Sequence, residues 1–329
     1  VAAGPVFNFI LSIAVFAGLL MWTGTAVERP TVGAVVALPG GAGELRPGDV
    51  ILAVEGQEVA DYPALDRVSD ALPSQERLRY GVERDGARIE ITGPQLYPAR
   101  LSGVAAGSAA YAAGLEAGDV IEAIDGTPIW RFADLQAAVK AAEGAPLKLD
   151  IWRAGADPAR FPVTRGARRT DPPAPEGGFE TRWLIGAMGG FVFTPETRMT
   201  TPLEAVSGAG AQVWGIVTTS VSAFKHMILG NISTCTLHGA IGIAENSAAA
   251  AKSGVPDFIW FIAVLSTAVG LINLFPIPVL DGGHLMFHLW EGVSGKPPSD
   301  RVMNLLMAVG LALVLTLMLS GLSNDLFCP

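Results

Sequence analysis

The sequence predicts a multi-pass α-helical membrane protein interrupted by two small inserted domains of mixed α/β class. Two observations carry that prediction. Half of the 329 residues are apolar and 16% are charged, with a mean hydropathy of +0.42, which is too apolar for a water-soluble chain of this size. Between the first and second apolar stretches lies a long region of mixed polarity that repeats itself.

A helix needs about 20 apolar residues to cross a bilayer core. Three stretches reach that length without Asp, Glu, Lys or Arg: Val1 to Val27, Phe258 to Leu280 and Val302 to Asn324. The first has no initiator Met, no basic segment and no charge before Glu28, so it does not read as a signal peptide. A chain that opens on VAAGPVFNF reads as a fragment lacking its own N-terminus. The expected spans are 1–27, 257–301 including a following polar loop, and 302–324.

The repeat has a spacing of 70 residues: GDVILAVEGQEV (48–59) matches GDVIEAIDGTPI (118–129). Each copy runs from a Gly-Asp turn through a β-branched strand to an acidic residue and Gly, a tight-turn signal. In FADLQAAVKAA (132–142), Phe132, Leu135 and Val139 are spaced as one buried helical face. These patterns give two domains, 30–97 and 98–167. The Pro- and Gly-rich stretch after them gives a linker over 168–204. Residues 205–256, with Ser, Thr, Gln and Gly among few charges, are expected to form an amphipathic, membrane-associated region.

The repeats resemble PDZ domains of the bacterial protease type, most clearly in SAAYAAGLEAGDVIEAIDG (108–126). That resemblance implies a partly open barrel able to hold an extended peptide as an added strand. No carboxylate-binding loop can be placed, so two folded spacers without a ligand remain an alternative.

Net charge is −9 with no cluster of Lys or Arg, which gives no support to nucleic-acid binding, and no nucleic-acid partner is expected. The two cysteines, Cys235 and Cys328, form neither a disulfide framework nor a CxxC metal site and are expected as free thiols.

Asp281 is the residue most suggestive of chemistry. An ionisable group at membrane depth is costly and usually faces a cavity or a partner. Ahead of it runs Asn273-Leu-Phe-Pro276-Ile-Pro278-Val-Leu-Asp281, whose two prolines break a helix and free backbone groups. Residue chemistry alone is equally met by a plain turn at Asp281-Gly282-Gly283.

NLFPIPVLDGGH, together with VAAGPVFNF and the order of spans and repeats, is similar to the site-2 protease family of intramembrane zinc metalloproteases, closest to its bacterial sigma-E-regulating branch. The resemblance covers the whole chain. It implies Zn2+ held by Asp281 and two His of an HExxH helix, whose Glu is the general base, with Asn273 positioning the substrate. It further implies substrate contacts along Asn273 to Pro278 and in the PDZ grooves. Implied partners are the lipid bilayer, a single-span membrane substrate of the anti-sigma-factor kind, and peptide ligands of the PDZ domains. The setting would be envelope stress signalling at a bacterial inner membrane, with the PDZ pair in the periplasm.

The sequence departs from that pattern in two places. His226, His238, His284 and His288 all lie in the C-terminal third and none belongs to an HExxH. The family carries that motif just before VAAGP, so the general base is expected upstream of Val1 and the chain alone is expected to be inactive. Ala240, in LHGAIGIA, stands where the family has proline. Two further readings are weighed: a metal set of Asp281, His284, His288 and Glu291 on one helix, and a membrane-anchored PDZ adaptor or inactive homologue that binds no zinc.

Overall fold

The computed structural model describes residues 3–155, 159–163, 168–170, 182–230 and 239–327. Cys235, His238 and Cys328 lie outside them. The chain divides into a helical unit built on residues 1–23 and 199–329 and a strand-rich unit of residues 24–170 and 181–198.

The helical unit opens with α1 (Ala3–Thr23). The strand-rich unit begins at β1 (Thr25–Ala26) and continues into β2 (Val32–Val35), β3 (Val50–Val54), β4 (Gln57–Glu58), α2 (Tyr62–Ala71), β5 (Arg77–Arg84) and β6 (Ala87–Pro94). The same order recurs in β7 (Gly103–Val104), α3 (Ala109–Ala112), β8 (Val120–Ile124), β9 (Thr127–Pro128), α4 (Phe132–Ala142), β10 (Leu147–Trp152) and β11 (Ala159–Val163), with α3 as an addition. Each copy forms a four-stranded antiparallel sheet of one topology, β4-β3-β5-β6 and β9-β8-β10-β11. Period-two patterning builds them: Leu78, Tyr80 and Val82 of β5 are buried while their neighbours are not. Phe132, Leu135 and Val139 of α4 are buried together, as their spacing predicts.

The Gly-Asp signature has a role beyond the turn. Asp49 and Asp119 are each 1% exposed. Asp49 Oδ1 and Oδ2 accept from Arg84 at 2.7 and 2.8 Å, and Asp119 accepts from Arg153 at 2.6 and 2.8 Å. Each also takes a backbone N–H three residues earlier, from Arg46 and Glu116, at 2.9 Å. A buried carboxylate is tolerated when paired and hydrogen-bonded in this way. The acidic-Gly pairs Glu55-Gly56 and Asp125-Gly126 all have positive φ, 48° and 77°, then 49° and 81°, which a type I′ hairpin turn requires.

The expectation of a linker over 168–204 is corrected for much of its length. β12 (Arg168–Thr170) pairs with β13 (Arg182–Leu184), β14 (Ala187–Met188) with β7, β15 (Phe193–Pro195) with β2, and β16 (Thr197–Arg198) with β1, all antiparallel. Ile185 joins the buried cluster of the second repeat, and Val192 and Phe193 join that of the first. Glycine and proline suggested a linker, but β2 and β7 offered open edges and these apolar side chains fill the cores beneath them. Residues 171–181 of the expected linker lie outside the described residues.

The chain returns to the helical unit in α5 (Pro202–Ile228), α6 (Ala240–Ser253), α7 (Val255–Leu274), α8 (Asp281–Ser294) and α9 (Asp300–Phe327). Three of the described helices are long and apolar enough to cross a membrane, α1, α7 and α9, and they coincide with the three apolar stretches of the sequence. α1 and α7 meet through small and hydroxyl residues. Ser12 Oγ donates to the Ala263 carbonyl at 3.0 Å, Ser266 Oγ donates to that of Asn8 at 3.0 Å, and Gly270 abuts Asn8 and Pro5. Close backbone approach of this kind joins helices in lipid, where burial of apolar surface gives no drive. α5 starts with a capping box, Thr201 and Glu204 around Pro202. Its Ala205, Ala209 and Val213 pack against Phe16, Ala17 and Ala263.

Candidate functional site

α7 stops where proline makes it stop. Phe275, the residue before Pro276, is extended (φ −63°, ψ 142°), as a pre-proline residue prefers. The chain then folds tightly: Phe275 N donates to Ile272 O at 3.1 Å, Ile277 N to Phe275 O at 2.7 Å and Leu280 N to Ile277 O at 2.8 Å. α8 begins at Asp281 against this loop. A Cβ on Gly282 would collide with the carbonyls of Leu274 and Phe275, and one on Gly283 with the Ile277 carbonyl and Pro278. The two glycines therefore let the start of α8 pack backbone to backbone on the loop.

The turn accounts for the glycines and leaves Asp281 unexplained. Its side chain caps nothing in α8 and takes part in no hydrogen bond or ion pair among the described residues. It is half-buried, and its Oδ2 lies 2.6 Å from where a Cβ of Gly4 would stand. Asp281 thus turns away from its own helix and faces the first turn of α1 across a position without a side chain. The N-terminus of α8 favours a negative charge there.

Asn273 sits in the last turn of α7, half-buried, its amide likewise without a hydrogen bond among the described residues. Two contacts support the loop from outside, and sequence reasoning missed both. The Phe224 ring of α5 meets Phe275 edge to face at 5.4 Å. Gly310 of α9 lies so near that a Cβ would stand 3.1 Å from Pro278 and from Val279. Gly4 was missed too. The signal available was a glycine inside an apolar run, which says that something approaches closely without saying what.

The weighed set of Asp281, His284, His288 and Glu291 does not assemble. His284 rests edge-on against Phe287 at 6.1 Å, and exposed His288 stands 3.9 Å from Glu291. Ten residues along a helix separate Asp281 from Glu291, about 15 Å of axial rise. Among the described residues no group of three or more His, Cys, Asp or Glu is gathered as a metal site. Zinc accepts carboxylate oxygen alongside nitrogen and sulfur. Asp281, unpaired and aimed into the space beside Gly4, fits as one such donor, and the described residues supply that one.

Comparison with known proteins gives the context. The family model of peptidase family M50 matches residues 1–317. The regulator of sigma-E protease of Salmonella typhimurium is 31% identical over 99% of this chain and 77% of its own length, and its Escherichia coli counterpart gives the same figures. A Ralstonia nicotianae protein named "Putative zinc metalloprotease" is 32% identical over 99% of the chain and 76% of its own length.

Proposed function

Since the chain belongs to peptidase family M50, the site-2 proteases, we propose that it forms the membrane and substrate-handling part of an intramembrane zinc protease in which Asp281 is a metal ligand. The observation that carries this reading is a carboxylate without a partner among the described residues, held at the start of α8 and turned toward Gly4. In the family pattern that the chain resembles, the His pair and the general base belong to an HExxH helix. Zinc bound there supplies Lewis-acid activation for hydrolysis of a peptide bond.

The residues of this chain then have separable tasks. Asp281 would give one oxygen to the metal, its carboxylate being turned toward Gly4 of α1. The Asn273 amide offers a donor and an acceptor to the backbone of a substrate drawn out of its helix. Pro276 and Pro278 donate no N–H, which ends α7 and sets the extended start of the loop at Phe275. The rest of the loop is held by Phe224 and Gly310.

The substrate in this reading is a single-span membrane protein of the anti-sigma-factor kind. Two relatives carry the name regulator of sigma-E protease, which supports that class. The two repeats act as PDZ-like modules that screen it. The chain leaves α1 for the repeats at Thr23, the end remote from Gly4, which supports placing repeats and site on opposite sides of the membrane. Lys296 and Arg301, just beyond α8, support a cytoplasmic site and periplasmic repeats in a bacterial inner membrane.

The deciding experiment measures zinc content and cleavage of a model transmembrane substrate by the full-length gene product, with Asp281→Ala as control. Zinc-dependent cleavage lost in the variant is the expected outcome. Unchanged cleavage would overturn the ligand assignment, and a full-length product without zinc or activity would leave a membrane-anchored adaptor as the reading.

A further inference from the structure

A cleft of about 630 Å³ in the strand-rich unit is walled by both repeats. One wall is β14. Its inner edge is used: Ser102 N donates to Met188 O and Ala105 N donates to Gly186 O, both at 2.8 Å. Successive residues of a strand point their hydrogen-bonding groups to opposite edges. The N–H and C=O of Ala187 therefore face the outer edge, where no strand pairs with β14 and no hydrogen bond reaches them among the described residues.

The second wall is α4, through Phe132, Ala133 and Gln136. The third comes from the other repeat: Asp66 and Asp70 of α2, four residues apart and so on one helix face. Neither carboxylate has an ion pair or hydrogen bond among the described residues. The one basic residue lining the cleft, Arg131, is already engaged, donating to Asp134 Oδ1 at 3.1 and 2.9 Å and to the Leu72 carbonyl. Both carboxylates are exposed, and partial desolvation, reinforced by Asp70, holds that of Asp66 above its usual range.

We propose that this cleft binds an extended peptide carrying a basic side chain, which adds as a strand to the open edge at Ala187 and seats its cation between Asp66 and Asp70. The strand edge and the cavity call for an extended chain. The two unpaired carboxylates decide its charge, because a like-charged side chain beside them is repelled and a Lys or Arg completes them. Alternate side chains of an added strand point to opposite faces, so the residues flanking the cation turn to Phe132 and Ala133. Selectivity thus arises from a residue pair on the first repeat acting on a ligand bound to the second. The inference rests on the repeats being peptide-binding modules and is independent of zinc.

The test uses the full chain in detergent micelles and two fluorescein-labelled amidated peptides, Ala-Val-Ala-Lys-Ala-Val-Ala and its Glu counterpart, read by anisotropy. The lysine peptide is expected to bind about tenfold more tightly at low salt. That preference should vanish in Asp66→Asn/Asp70→Asn, while Ala187→Pro, which removes the pairing N–H, should weaken both peptides. Equal binding of the two peptides, no binding of either, or a preference that survives the double substitution would overturn it. If the double variant fails to fold by circular dichroism, raising salt on the unmodified chain replaces it: a preference that persists at 1 M salt refutes the charge basis. Cleavage is not the readout, so failure here leaves the Asp281 reading standing, and failure at Asp281 leaves this one.

Discussion

At Asp281 function and stability separate, because among the described residues the carboxylate makes no hydrogen bond that its loss would break. Asp281→Asn in the full-length product is expected to reduce cleavage of a transmembrane substrate to background while moving folding stability by about 0.5 kcal/mol or less. A matching fall in thermal midpoint would make Asp281 structural. Gly4→Ala probes the same geometry from the other helix. Its Cβ would stand 2.6 Å from Asp281 Oδ2, so the carboxylate must move, and activity should drop about 10- to 100-fold, as when a supporting group of a metal ligand is lost. The run NLFPIPVLDGG made Asp281 and its broken helix legible in the sequence. Gly4 was not legible, since 277 residues separate the two and a glycine carries no mark of what passes close to it.

A second residue-scale case lies in the repeats. Burial alone would raise the Asp49 carboxyl, yet the Arg84 guanidinium and the Arg46 backbone N–H hold it below the usual carboxylate range. A folded-state value below the unfolded one, about 3.9, means that the stabilisation is present above that value. It is lost as pH falls through the folded value. Acid melts of the strand-rich unit should therefore show stability declining below about pH 4. Arg84→Met strands a carboxylate that is 1% exposed and should cost about 3–5 kcal/mol at neutral pH. The Gly-Asp repeat pointed to a turn. Its deeper role was hidden because the partner arginine lies on a strand beyond the helix, in a position that reads as solvent-exposed.

Among elements, α6 shows how a departure from a family pattern can be neutral. Ala240 stands where proline was expected, which put the local geometry in question. The start of α6 is held from α9: Asp325 accepts from the backbone N–H groups of Gly239, Ile241 and Gly242 at 2.9, 3.0 and 3.2 Å. Ala240 is the first helical residue, and an N–H at that position has no intrahelical partner. Proline is at home there. Ala240→Pro should leave the thermal midpoint unchanged or raise stability by up to about 1 kcal/mol, whereas Asp325→Ala removes the cap and should cost about 0.5–2 kcal/mol. A loss with proline would mean that the helix start needs the Ala240 N–H. Helices and strands with strong periodicity, such as α4 and β5, were readable from sequence. Caps supplied from a helix some 80 residues away were not, because no local pattern encodes them.

For the whole molecule, the boundaries of the inserted region matter most. Sequence patterning ends the second repeat at 167 and assigns residues 168–204 to a linker, yet β14 and β15 pair with β7 and β2. Ile185, Val192 and Phe193 are 4%, 0% and 2% exposed in the two cores. Burying such side chains contributes about 1.5–3 kcal/mol each, so removing all three withdraws about 5–9 kcal/mol. That is comparable to the entire stability of a domain, about 5–15 kcal/mol. A fragment of residues 24–198 is therefore expected to be soluble and to melt cooperatively by circular dichroism. A fragment of residues 30–167 should show no cooperative transition and should be digested rapidly by protease. The opposite result would make the returning strands dispensable and restore the shorter repeats as autonomous units. If the longer fragment alone folds, the strands that complete both repeats are the same stretch that carries the chain back to the membrane at Met199, and any peptide added at β14 lies on that returning stretch. Binding at the repeats and the path of the chain into α5 would then be physically joined, a coupling that two independent domains on a flexible linker could not have.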